Sequence, residues 1–235
     1  MKPTAGPVGL LRAVLGLIYP PLCLGCEDRL PHPEPAVPLC DACRRSIPRA
    51  DAGLLADRLD DFDAGPADFD HAFALWLFDE GTTLQRVQHA VKYHNRPTLG
   101  VRLGRWIGEG LRERRVPTPD LIVPVPLHRV RRLERGYNQS ERLARGIADI
   151  LDAEVDDDLL VRRRATRSQT SLDKQARWRN VAEAFALSDP AAVAGRRVLL
   201  VDDVITTGAT VVAAAAPLRE AGAVVDLAVL ACTRD

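Results

Sequence analysis

The sequence predicts an α/β fold, a parallel sheet covered by helices, with a small N-terminal module set before it. Three observations carry the prediction. From residue 73 onward, short apolar runs alternate with stretches of helical periodicity, the pattern of strands buried on both faces and joined by crossover helices. Four of the five cysteines fall within residues 23–43 as two Cys-x-x-Cys pairs. One apolar run, "VLLV", ends in two aspartates and a threonine-rich turn, "DDVITTGAT". A chain of 235 residues, 46% apolar and 27% charged, has material for one such domain and an attached module.

Taken in order, Leu10, Leu11, Val14, Leu15 and Ile18 fall at helical spacing, so residues 8–19 read as a short amphipathic helix. The apolar stretch Val8–Leu24 is interrupted by Arg12 and stopped by Pro20 and Pro21, with no small-residue cleavage pattern; a cytoplasmic protein without a membrane span is expected. Pro31, Pro33, Pro35 and Pro38 make the cysteine module loop-rich. Residues 51–70 hold seven aspartates and one arginine, about −6, and read as an acidic linker. The expected division is therefore a helix and four-cysteine module at 1–50, the linker at 51–70 and the sheet domain at 71–235.

Within that domain "FALWLF" is a strand, followed by a helix through Leu84, Val87 and Val91, and "TLGVRLGRWIGEGL" is a second helix. "DLIVPVPLH" is a buried strand entering a proline-stiffened loop. "NQSERLARGIADILDAE" is a helix with Asn138 as N-cap and Glu141 three residues on, the spacing of a capping box. "RRVLLVDD" is a strand, 209–221 a helix and "AVVDLAVLACT" a last strand, with Cys232 a small apolar core residue.

The formal net charge is zero, which excludes a global field that would draw in nucleic acid. Residues 161–180 nevertheless hold seven Arg/Lys and one aspartate, about +6, and read as a solvated basic face or a segment with an anionic partner.

Cys23, Cys26, Cys40 and Cys43, thirteen residues separating the pairs, place four thiolates within reach of one tetrahedral Zn²⁺. Iron–sulfur ligation is the alternative, and a disulfide frame suits a secreted mini-protein better than a chain this long. Four ligands leave no open position, so the metal's role is structural or partner-binding.

Ligands of open parallel sheets bind beyond the carboxyl ends of strands, where Asp202 and Asp203 stand. Gly208 allows a tight turn. The amides and hydroxyls of Thr206, Thr207 and Thr210, with the N-terminus of the next helix, can surround a phosphate. Adjacent carboxylates then suit a ribose diol or a divalent metal. The segment is neither a Walker loop nor G-x-G-x-x-G.

"VLLVDDVITTGAT" resembles the phosphoribosyl pyrophosphate (PRPP) signature of the type I phosphoribosyltransferases. The resemblance implies that Asp202 and Asp203 take the ribose hydroxyls while Thr206, Thr207, Gly208, Ala209 and Thr210 wrap the 5-phosphate. "VPVPLHRVRRLERGYNQSERLA", "RRRATRSQTSLDKQARWRNVAEAF" and the cysteine pairs together resemble the ComF family of competence-associated proteins. Its members often carry a second set of cysteine pairs, absent here. The likeness implies a type I phosphoribosyltransferase domain, with Val125, Pro126, Leu127, His128, Arg129, Arg132 and Arg135 as a pyrophosphate loop. It also implies a catalytic-loop flap carrying Arg164, Thr166, Gln169, Arg177 and Asn180, of which Arg164 and Arg177 join Asp202 and Asp203 as catalytic groups. Mg²⁺ is expected with PRPP. The implied role is PRPP–Mg²⁺ binding in DNA uptake, natural transformation or use of external DNA. Single-stranded DNA and the DNA-uptake or replication-restart machinery are the expected partners, with Tyr137 or Trp178 as stacking platforms. The alternative is an active phosphoribosyltransferase with a nucleobase-like or amine acceptor.

Overall fold

The computed structural model describes residues 21–31, 37–51, 55, 59, 69–93, 97–127, 132–134, 136–163 and 184–234. The helix expected at 8–19 lies outside them. Four strands, β1 (Ala72–Phe78), β2 (Leu121–Pro124), β5 (Arg197–Ile205) and β6 (Val224–Thr233), form one sheet in the order β1-β6-β5-β2, every pair parallel. A separate antiparallel pair joins β3 (Leu160–Arg162) to β4 (Phe185–Leu187). Among the described residues the α-helices are α1 (Asp41–Ser46), α2 (Thr83–Tyr93), α3 (Pro97–Glu113), α4 (Gln139–Leu151) and α5 (Ala209–Glu220).

The middle runs of the central strands, residues 198–201 of β5 and 227–232 of β6, are apolar because both their faces are covered. On β5, Val198 and Leu200 pack in one cluster with Val211, Ala214 and Leu218 of α5; Leu199 and Val201 pack in the other with Leu103, Ile107, Leu143 and Ile147 of α3 and α4. Strand side chains alternate between faces, so one short run serves two cores.

The contact between α3 and α4 is unusually close. Gly100, Gly104 and Gly108 recur at four-residue spacing along α3 and share one face. A Cβ on Gly104 would lie 2.1 Å from the Leu143 carbonyl oxygen, and one on Gly146 would lie 2.0 Å from that of Val101. Only glycine on both sides allows that approach.

The cysteine segment shares the α3–α4 core, since Cys23, Leu30, Val37, Leu39 and Ile47 pack in one cluster with Trp76 and Val87. Arg49 forms an antiparallel bridge with Trp76, and the Leu77 amide donates to the Pro48 carbonyl at 2.9 Å. Prolines notwithstanding, the second cysteine pair carries the short helix α1, capped by Cys40. Nor is the acidic stretch all exposed: Leu55 and Leu59 are buried in the α5 cluster.

At the amino edge of the sheet, buried Asp226 and half-exposed Asp70 clamp Arg197 Nη1 at 2.9 and 2.7 Å, and the His71 amide donates to Asp226 at 3.1 Å. Asp226 first, then Asp70, hold the guanidinium above its ordinary pKa. Arg197 supplies the positive charge that these acids require, so the cluster ties the starts of β5 and β6 to the approach to β1.

Gly146→Ala is expected to destabilise the protein by about 3 kcal/mol, the upper part of the range for overpacking. The urea midpoint should fall accordingly, while an alanine at Gly81, whose Cβ position is open but whose φ of 75° disfavours it, should cost less.

Candidate functional site

Strand β5 delivers Asp202 and Asp203 to the carboxyl edge of the sheet, where the chain turns through exposed Thr206 and Thr207 to Gly208. Gly208 has φ 81°, a left-handed conformation natural to glycine, and stands as the N-cap of α5 without a side-chain capping bond. No acid occupies the first turn of α5, so its unpaired amides and positive dipole end face the turn. Thr210 is half-buried in that first turn, and the Thr206 carbonyl accepts from Thr233 Oγ1 of β6 at 3.3 Å.

Asp202 Oδ1 accepts two hydrogen bonds, from Ser140 Oγ at 2.9 Å and from the Asp203 amide at 2.8 Å. Asp203 Oδ1 accepts from the Val204 amide at 2.7 Å. The loop after β2 runs alongside, its Val125 amide donating to the Val201 carbonyl at 2.8 Å. Asn138 then ties this loop to α4: its Nδ2 donates to the Val125 carbonyl at 3.0 Å, and its Oδ1 caps the helix by accepting from the Ser140 amide at 3.2 Å. Glu141 lies 3.0 Å from Arg145.

Asp202, Asp203, the Thr206–Thr210 turn and Val125, Pro126 and Leu127 thus meet at one edge. Arg132 is exposed beyond them. His128, Arg129, Arg135, Arg164, Thr166, Gln169, Arg177, Trp178 and Asn180 lie outside the described residues. Strands β3 and β4 bracket the basic stretch, with the Arg163 amide donating to the Ala184 carbonyl at 2.8 Å. Tyr137 does not offer a stacking face of the expected kind: it is 5% exposed and its hydroxyl donates to the Val91 carbonyl. Sequence reasoning passed over Ser140. Its signal was a polar run, Asn138 to Glu141, on a helix that must start at the ligand edge; all four are buried.

The four cysteine sulfurs lie within 4.8 Å of one another and could hold a metal ion. Their surroundings differ, with amides converging on Cys23 and Cys40. At Cys26 the Asp28 amide lowers the thiol, but the Asp28 side chain and burial outweigh it and push the thiol up to about 12. Burial pushes the Cys43 thiol up. Amides of Gly25 and Cys40 point at Cys23 Sγ, both at 3.3 Å, and the Cys43 amide points at Cys40 Sγ at 3.4 Å. Burial raises the Cys23 thiol, but the amide hydrogen bonds outweigh it and bring it down to about 6. Gly25 is required because a Cβ there would lie 2.6 Å from Cys43 Sγ.

The family described as Phosphoribosyl transferase domain matches residues 138–235. DNA utilization protein YhgH of Escherichia coli (strain K12) is 38% identical over 149 residues, 62% of this chain and 65% of that protein. Competence protein F of Haemophilus influenzae is 33% identical over 140 residues, 59% of this chain and 61% of that one. The match therefore spans just under two thirds of these relatives. Among solved structures, a glutamine PRPP amidotransferase from B. subtilis complexed with ADP and GMP aligns at a TM-score of 0.41 and 23% identity, over 60% of this chain and 30% of its own.

Proposed function

We propose that this chain, which its likenesses support as a ComF-family protein with a phosphoribosyltransferase domain, binds PRPP–Mg²⁺ at the carboxyl edge of β5 and serves DNA uptake or the use of external DNA. The observation that carries the reading is the arrangement of Asp202 and Asp203 immediately before the Gly208 turn into α5. Two acceptors beside a helix N-terminus that has no side-chain cap suit a ligand with a diol at one end and a phosphate at the other. The carboxylates would hold and orient the ribose hydroxyls, while amides from 206 to 210 wrap the 5-phosphate. The Val125–Leu127 backbone, stiffened by Pro126, would face the pyrophosphate, with Arg132 and, by resemblance, His128, Arg129, Arg135, Arg164 and Arg177 neutralising it. Bound Mg²⁺ would share the pyrophosphate's charge. If the domain also transfers phosphoribose, these groups act by positioning and by stabilising charge that develops at the anomeric carbon.

Changing Asp202 and Asp203 together to asparagine keeps their size and removes the charge. At about 1.5–3 kcal/mol for each charged hydrogen bond, PRPP–Mg²⁺ affinity should fall at least about tenfold by isothermal titration. Equal affinity in parent and variant overturns the reading.

The cysteine cluster is assigned one structural Zn²⁺, held by Cys23, Cys26, Cys40 and Cys43. Because ligation displaces thiol protons, the affinity must weaken as pH falls. Elemental analysis should return one zinc per chain, lost in Cys40→Ser; iron, or no metal in reduced protein, overturns the assignment.

A second observation favours contact with single-stranded DNA. A cleft of about 260 Å³ between α1 and α3 is lined by Arg44, Arg45, Arg49, Trp76 and Trp106, together with Glu109 and Glu113. The Arg44 guanidinium lies over the Trp106 ring at 5.6 Å, and Trp106 packs edge-on against Trp76 at 5.8 Å. Arg45 and Arg49 have no carboxylate partner among the described residues. Trp76 is buried and only backs the half-buried Trp106, so Trp106 beside the guanidiniums of Arg45 and Arg49 is the surface that a base and its phosphates would use. Arg45→Gln with Arg49→Gln should make the salt dependence of single-strand binding shallower by about 1.4, for two lost phosphate contacts. A slope equal to that of the parent places DNA elsewhere.

A further inference from the structure

We infer that Ser140 is a positioning residue for the PRPP site, acting through the carboxylate of Asp202; the inference rests on the PRPP reading above. A serine hydroxyl that is 3% exposed must find a partner, and this one donates to Asp202 Oδ1 at 2.9 Å, across 62 residues of sequence. The same oxygen accepts the Asp203 amide at 2.8 Å. Two donors arriving from different elements, one a helix and one the strand itself, leave the carboxylate a single orientation. An acid that must meet two ribose hydroxyls in a fixed geometry gains from having its rotation stopped before the ligand arrives.

The support behind Ser140 is itself rigid. Its amide is taken by the Asn138 side chain at 3.2 Å, and Asn138 is pinned to the loop after β2 by its bond to the Val125 carbonyl at 3.0 Å. Behind these, α4 is seated on α3 with backbone almost touching backbone at Gly104 and Gly146. Ser140 therefore cannot follow Asp202 if the carboxylate turns, and the carboxylate is held to it. This is a role for a side chain that touches no ligand atom itself.

The experiment compares PRPP–Mg²⁺ affinity, by isothermal titration, in the parent, Ser140→Ala, Ser140→Thr, Asp202→Ala and the double variant Ser140→Ala/Asp202→Ala, with thermal unfolding recorded for each. Ser140→Ala should bind about five- to tenfold more weakly, less than loss of a charged hydrogen bond made directly to the ligand would cost, because the serine acts only through Asp202. Ser140→Thr, which keeps the hydroxyl, should recover most of that. In the Asp202→Ala background the serine has nothing left to orient, so removing it should change affinity no further, whereas a merely structural serine would weaken both backgrounds alike. Parent-like affinity in Ser140→Ala beside a weakened Asp202→Ala overturns the positioning role and leaves the PRPP reading standing. Additive losses in the double variant overturn it equally. Parent-like affinity in Asp202→Ala overturns the PRPP reading itself.

Discussion

Two helix backbones that nearly touch set the geometry on which the candidate site rests. Where α3 crosses α4, the Gly104 and Gly146 backbones occupy space that side chains would otherwise fill. The approach draws α4 down onto the sheet face formed by Leu199 and Val201, and Leu143 and Ile147 fill the remaining gap. It also determines how far the N-terminus of α4 stands from the end of β5. A helix displaced outward by one methyl layer would carry the Ser140 hydroxyl out of hydrogen-bonding range of Asp202, since such bonds weaken steeply beyond about 3.2 Å. Packing at the middle of the helix and chemistry at its tip are thus one constraint.

The two ends of the sheet divide the polar work. At the amino edge, Arg197 is satisfied by Asp70 and Asp226, and that cluster is closed on itself. At the carboxyl edge, the end of β5 brings carboxylates, threonine hydroxyls and the amides at the start of α5 together. A ligand with hydroxyls for the carboxylates and an anionic group for the amides would complete the second edge in a way that the first does not need. A parallel sheet favours this division because all of its strands point their ends the same way.

The strands of the central sheet could be read in the sequence because each is built on an apolar run bounded by turn residues, as strands buried on both faces are. The end of β5 could be read for the opposite reason, since two acids and a glycine after "VLLV" make no sense inside a core. Less visible were β3 and β4, three residues each, whose pairing depends on each other rather than on any local periodicity. Asp226 was hidden in "AVVDLAVLACT" because a single acid in an apolar run reveals neither its burial nor its partner, an arginine on the neighbouring strand. The four-residue spacing of Gly100, Gly104 and Gly108 is plain in the sequence, but only the fold shows that Gly146 faces it. The Ser140–Asp202 bond was illegible for the same reason: it joins distant segments that meet only after the sheet has formed.

The sheet has two outer margins, and each is shielded by a stretch too short to count as a strand. Beside β2, the Ile122 amide donates to the Glu154 carbonyl and its carbonyl accepts from the Asp156 amide, in a parallel bridge to Val155. Beside β1, Pro48 to Ala50 plays that part through the bridge from Arg49 to Trp76. The β1 cover is the direct continuation of α1 and hence of the second cysteine pair, so whatever holds Cys40 and Cys43 in place also keeps that margin closed. Were the cysteine segment to loosen, an unsatisfied row of amides and carbonyls flanked by Leu75 and Trp76 would be offered to any passing chain, which is the usual start of strand addition between molecules and of aggregation. On this view the cysteines guard the protein's solubility as well as its shape.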